Sequence, residues 1–168
     1  MFINIFDLFL DGGKSEKNRA MIQIAEYNLN NIPTLKEEQK ITQFLFDELE
    51  QYGDPKRDIQ KAIDYALGRN GKPGGMVLVA KEDEQIVSAV VINDTGMSDY
   101  IPENILVYIA TDKNQRGKGI GKMIIQEVIA RTKGDIALHV DPNNPAKKLY
   151  ERLGFTNKYL EMRLNKKA

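Results

Sequence analysis

Arg116-Gly117-Lys118-Gly119-Ile120-Gly121 is the stretch on which the fold of this chain turns. Residues 104–110 before it are apolar and β-rich, a strand pattern, and residues 122–131 after it read as a helix. Three glycines in five positions leave bare backbone at that junction. The free N–H groups of the helix's first turn point back at the same place, and such a junction binds anions. Glycines without a ligand would each cost about 1 kcal/mol of helix propensity for no return. Gln115, Arg116, Lys118 and Lys122 also favour an anion, although a basic first turn opposes the helix dipole. At this point a ligand-free glycine turn stays open.

Working outward, the chain changes character near residue 70. Residues 17–29 carry Met21, Ile22, Ala25 and Leu29 at helical spacing, which predicts a helix. Thr34 with Glu37 three residues on is a capping box, and the helix it opens buries Ile41, Phe44, Leu45, Leu49 and Tyr52. Asp54-Pro55 predicts a cap followed by proline at the first helical position. Ile59, Ala62, Ile63, Ala66 and Leu67 form the next apolar stripe, stopped by Gly68 and by Asn70-Gly71-Lys72-Pro73-Gly74-Gly75. Residues 76–81 and 85–92 around Glu82-Asp83-Glu84 predict an antiparallel hairpin. Residues 93–102 are a polar loop. Residues 105–110 and 136–140 are further strands, 146–152 is a short helix closed by Gly154, and 159–164 alternates like a last strand.

The expectation is one α/β domain over residues 1–168, with a mixed sheet and helices on its faces. The 24 basic and 24 acidic side chains give zero net charge, without the basic excess usual in a nucleic-acid binder. No cysteine is present, which excludes disulfides, thiolate catalysis and thiolate metal sites. His139 is the only histidine, so no His cluster exists, and no spaced motif announces a carboxylate metal site. Residues 1–10 are apolar but lack a basic segment, are interrupted by Asp7, and are too short to span a bilayer. They predict a first strand or a buried terminal arm, no membrane partner, and a cytoplasmic protein.

Two phosphate-binding patterns fail on spacing. The ATPase loop needs a hydroxyl after Gly-Lys, and Met123 follows Lys122. The dinucleotide pattern needs Gly-x-Gly-x-x-Gly, and Gly117, Gly119 and Gly121 are evenly spaced. The strand, glycine loop and helix instead resemble motif A of the Gcn5-related N-acetyltransferase (GNAT) family, Arg/Gln-x-x-Gly-x-Gly/Ala, matched by Arg116, Gly119 and Gly121. Downstream, Asn143, Ala146, Tyr150, Gly154 and Phe155 match motif B in order. The resemblance covers residues 76–164 as a coenzyme-binding core. It leaves residues 1–70 as a divergent acceptor-side part with more helix than the family's strand and two short helices.

The resemblance implies a GNAT-like fold: a mixed, mostly antiparallel twisted sheet with helices on both faces. It implies acetyl-coenzyme A as cosubstrate, with phosphates on the backbone of Arg116, Gly117, Lys118, Gly119, Ile120 and Gly121. The pantetheine arm would run beside Ile109, Ala110 and Thr111 and touch Asn143 and Ala146. Tyr150 would be the general acid near the sulfur. Glu103 would be the base, because it occupies the relative place of the glutamate in the family's histone acetyltransferases. Asp99, Tyr100 or a water chain are the alternatives, and His139 is not read as catalytic. The implied reaction is N-acetylation of a small-molecule or peptide amine by direct attack, in a monomer or homodimer. The competing readings are a catalytically silent coenzyme sensor and a helical interaction module exposing Phe44, Phe46 or Tyr52. Glu37-Glu38 and Asp47-Glu48 with Glu50 either attract a cationic acceptor or are solvated helix faces.

Overall fold

The computed structural model describes residues 21–166. The expected arm at residues 1–10 and the first part of the expected 17–29 helix lie outside the described residues. The rest of that helix is replaced by β1 (Gln23–Tyr27), an edge strand antiparallel to β2. Ile24 faces one side of the sheet and Ala25 and Tyr27 contribute to the other. A short run buried on both faces has no clean period of two, so its apolar spacing fits a helix as well.

Thr34 caps α1 (Leu35–Leu49) as expected. Its hydroxyl accepts from the Glu37 N–H at 3.3 Å, and the Glu37 carboxylate accepts from the Thr34 N–H at 3.1 Å. α2 (Lys56–Ala66) begins after Pro55, and Asp54 does not cap it. The Asp54 carboxylate instead accepts a 2.6 Å bond from the Tyr108 hydroxyl, a sheet contact that competes with the cap. Ile41, Leu45, Ile59 and Ile63 are essentially fully buried. Burial of four such side chains contributes about 6–12 kcal/mol before chain entropy is counted. Tyr52, expected inside, lies in a short 3-10 turn and is 40% exposed.

β2 (Gly75–Glu82) and β3 (Gln85–Asp94) form the expected hairpin, and β4 (Asn104–Thr111) pairs antiparallel with β3. α3 (Ile120–Arg131) then crosses back and delivers β5 (Ile136–Leu138) parallel to β4. The order β1-β2-β3-β4-β5 is a mixed, mostly antiparallel sheet. Strand alternation sends Val77, Val79, Ala89 and Val91 to the α1–α2 side, and Leu78, Ala80, Val90 and Ile92 to the α3 side. Helices therefore cover both faces, as expected. α4 (Lys147–Arg152) ends at Gly154 and packs Tyr150 on the α3 side.

The last strand expected at 159–164 does not form. Tyr159, Leu160, Met162 and Leu164 are 77–94% exposed and join no ladder. Alternation alone does not make a strand without an edge to pair with, and β5 offers only three residues.

Candidate active site

Two irregularities in β4 open the site. Its pairing with β5 runs only from Asn104↔Ile136 to Leu106↔Leu138, whereas its pairing with β3 continues to Thr111. At the same point the β3 register shifts, leaving Val107 as a bulge. A bulge re-aims the side chains that follow it. Leu106 belongs to the α3-side core, while Tyr108 and Ala110 belong to the α1–α2 side. The rim of β4 beyond Leu106 consequently faces a cleft rather than a neighbouring strand.

The cleft has a volume of about 580 Å³. Ile109, Ala110 and Thr111 form one wall, and Ala146, Leu149, Tyr150 and Leu153 of the α4 region form another. Arg116, Gly117, Gly119, Ile120, Gly121 and Lys122 close its end. Gly119 caps α3 at φ +87°, a left-handed conformation that glycine adopts without strain. The Met123 N–H makes a 3.0 Å helical bond to the Gly119 carbonyl, so the amides of the turn ahead of it have no intrahelical acceptor. A Cβ at position 117 or 119 would meet nothing within 4 Å, so bare backbone faces open space. Anion-ready amides and an apolar wall of Ile109, Leu149 and Leu153 suit a phosphate-bearing ligand with a long flexible arm.

Tyr150 is 7% exposed and packs edge-on against Phe155 at 5.9 Å between ring centres. Its hydroxyl opens into the cleft without a hydrogen-bond partner among the described residues. Burial pushes the phenol up to about 12, so it holds its proton through the neutral range. Arg116 is tied to the ends of both β4 and α1: its Nε donates to the Thr111 carbonyl at 3.1 Å and its Nη2 to the Glu48 carbonyl at 2.9 Å. Lys118 donates to Gln115 at 2.7 Å and does not line the cleft.

Four residues named from the sequence stand apart from this group. Glu103 precedes β4 at the end away from the glycine loop, and is not among the lining residues. Six residues of strand, about 20 Å, separate that end from Ala110. Its carboxylate accepts from the Asp135 N–H at 2.7 Å, in space that a Cβ on Gly134 would fill. That amide bond holds its pKa below the usual glutamate value, the opposite of what a base requires. Asn143 does not line the cleft; Asn144 does, and its side chain accepts from the Ala146 N–H at 2.9 Å. Asp99 and Tyr100 lie on the Glu103 side, where Tyr100 is 80% exposed.

Sequence reasoning missed the α1 end altogether as part of this cleft. Glu48, Leu49, Glu50 and Tyr52 line it, although the sequence marks Glu48 and Glu50 only by their acidity and Leu49 and Tyr52 only as part of an apolar stripe. Among the described residues there is no acidic or histidine cluster suited to a metal ion. No helix among them is long and apolar enough to cross a membrane.

Comparison with known proteins agrees with this geometry. Residues 73–157 match the family model described as an acetyltransferase (GNAT) domain. A 5-NmdU N-acetyltransferase of Pseudomonas phage PaMx11 is 31% identical over 84 residues, which are 49% of this chain and 58% of that protein. A possible acetyltransferase from Clostridium difficile 630 shares the fold at a TM-score of 0.61 and 20% identity, over 88% of this chain and 98% of its own. The aminoglycoside N-acetyltransferase AAC(6′)-Iy, solved with CoA, does so at 0.62 and 13%, over 90% and 100%. With its matched model covering the hairpin, glycine loop and α4, the chain belongs to the GNAT acetyltransferase domain family.

Proposed function

We propose that this protein moves an acetyl group from acetyl-coenzyme A to a primary amine of a small molecule or peptide, by direct attack on the thioester. The observation that carries the reading is the meeting, in one cleft, of the glycine loop, the unpaired β4 rim and the Tyr150 hydroxyl. Both the phage relative and the aminoglycoside enzyme are named for transfer to nitrogen, which supports an amine acceptor over an alcohol.

Acetyl-coenzyme A would supply the activated acyl group. The amides at the head of α3 would hold its phosphates, with Gly117, Gly119 and Gly121 keeping side chains out of the way. The free N–H groups of β4 beyond Leu106 offer donors to an oxygen that gains charge as the thioester is attacked. Tyr150 donates a hydrogen bond to the departing sulfur. Its phenol, at about 12, is less acidic than an ordinary thiol. With thiols near 8.5, full transfer of that proton would cost about 5 kcal/mol, so Tyr150 steadies the thiolate without surrendering its proton. The ammonium would lose one proton to water at the cleft mouth before attack, the nitrogen's second proton would pass to the departing thiolate so that coenzyme A leaves as the thiol, and Glu103 is given no part in the step. The chain is expected to work in the cytoplasm as a monomer or homodimer.

The test is thiol release from acetyl-coenzyme A in the presence of a panel of amines and N-terminal peptides. Amine-dependent release supports the enzyme. Coenzyme binding with no release for any acceptor would move the assignment to a silent coenzyme sensor.

A further inference from the structure

Ser88 of β3 is the most deeply buried polar side chain among the described residues, with none of its surface exposed. Its neighbours Val87, Ala89 and Val90 are apolar, and an alanine in its place would leave no hydroxyl to desolvate. It stands directly opposite Thr111, the last residue of β4, in the β3–β4 ladder. The Ser88 hydroxyl oxygen lies 2.8 Å from the Ala110 carbonyl and 3.1 Å from the Thr111 hydroxyl. A serine hydroxyl has one proton, and a carbonyl can only accept. The proton therefore goes to Ala110, since otherwise two bare oxygens would face each other at 2.8 Å. Ser88 is left to accept from Thr111, which commits the Thr111 proton to the sheet and away from the cleft that Thr111 lines.

Thr111 is held from its other end as well, because its carbonyl accepts from Arg116 Nε at 3.1 Å. Its hydroxyl oxygen lies 3.5 Å from where a Cβ on Gly121 would sit, against the first turn of α3. An oxygen that offers only lone pairs thus stands beside amides that offer only protons. A phosphate placed on Thr111 would find no donor, whereas an N–H would find its acceptor.

Resting on the coenzyme reading above, we propose that Ser88 is a positioning residue that holds the Thr111 hydroxyl as an acceptor for an amide N–H of the pantetheine arm. The arm is built on amides with N–H groups to donate, and the ionised coenzyme phosphates have none. Thr111 marks the place where the anion-binding part of the cleft ends and the arm begins. Ser88 acts through Thr111 and touches no ligand.

The test is calorimetric titration of two ligands, with thermal unfolding alongside: coenzyme A, and phosphoadenosine diphosphate, which is its nucleotide half without the arm. Thr111→Val keeps the shape and removes the acceptor. It should weaken coenzyme A about tenfold and the nucleotide half less than about twofold, and Thr111→Ser should keep coenzyme A within about threefold of native. Ser88→Ala frees the Thr111 proton to turn into the cleft. It should weaken coenzyme A about fivefold when Thr111 is present and less than about twofold in the Thr111→Val background, a non-additivity that isolates the relay. Equal losses for both ligands in Thr111→Val would mean that Thr111 shapes the glycine loop, and would overturn the proposal. Unchanged coenzyme affinity in Thr111→Val would overturn it and leave the coenzyme reading standing. Equal effects of Ser88→Ala in the two backgrounds would remove Ser88 from the site. Binding of neither ligand by the folded native chain would overturn the coenzyme reading and this one with it. The ligand comparison in Thr111→Val decides the case alone if Ser88→Ala proves unstable.

Discussion

Tyr150 is one residue seen in two environments: a ring packed on Phe155 and a hydroxyl left to the cleft. Tyr150→Phe keeps the packing and removes the donor. The expected result is a loss of about 10²-fold in kcat, the usual size of one hydrogen-bond donor aimed at developing charge, with coenzyme affinity nearly unchanged. Steady-state kinetics beside calorimetry measure both; an unaltered kcat would remove Tyr150 from the chemistry. Glu103→Gln tests the opposite case. Its carboxylate already serves the Asp135 amide, so kcat and its pH profile above pH 5 should stay as in the native protein. A steep loss at neutral pH would restore it as the base. Buried tyrosines also set an alkaline limit. Tyr27 and Tyr150 are pushed up to about 12, chiefly by burial, and Tyr108 is raised as well. The unfolded chain releases these protons near 10 and the folded one later, so stability should fall as pH rises from 10 to 12. Urea midpoints across that range report it, and a flat profile would contradict the burial of these phenols.

At the scale of elements, α1 carries the cleft's acidic wall, so its anchoring matters to the site. Its start was legible, because Thr34 and Glu37 at three-residue spacing can satisfy each other's backbone donors. Thr34→Ala should cost about 1 kcal/mol in urea unfolding. Its middle is held by a network that sequence spacing does not reveal. Glu38 of α1, 6% exposed at its side chain, accepts both guanidinium nitrogens of Arg69 at 2.6–2.7 Å. Arg69 comes from beyond α2, and Gln60 of α2 also donates to Glu38. Arg69→Ala strands a buried carboxylate, and the pair is partly open to water, so about 2–3 kcal/mol is expected rather than the larger loss of a sealed pair. A change under about 0.5 kcal/mol would mean that the network does not hold α1 to α2. β1 was illegible for a different reason: Ile24 and Tyr27 are buried on opposite faces, and five residues are too few to separate the two periods.

For the molecule as a whole, the sheet and its two helix layers follow from patterns that are local in sequence: a hairpin around Glu82-Asp83-Glu84, a capping box, and a glycine junction after a strand. The cleft is different. It exists because β4 and β5 stop pairing at Leu106 and because the end of α1, about 65 residues before the glycine loop in the chain, folds over it. No local pattern encodes either event: the acidity of Glu48 and Glu50 suggests a cationic acceptor or a solvated helix face without placing them in a cleft, and the count back from the glycine loop that singles out Glu103 does not reveal that it lies outside the lining. Phe46 and Tyr52 are about 40% exposed, but Phe46 is covered by Lys56 at 4.9 Å and Tyr52 lines the cleft, which weakens the case for a separate helical interaction module. The central claim is that the junction of β4 and α3 holds coenzyme phosphates. Gly121 tests it cleanly: it sits in the first turn of α3, and a Cβ there meets only ordinary contacts at 3.5 Å, to Leu149 and Thr111. Gly121→Glu adds a negative charge that the helix dipole tolerates and coenzyme phosphates do not. The measurement is calorimetric titration of acetyl-coenzyme A into the native and Gly121→Glu proteins, with thermal unfolding alongside. Native binding that is lost in an equally stable variant is the predicted result; equal affinity in both, or no binding by the folded native chain, would contradict the account.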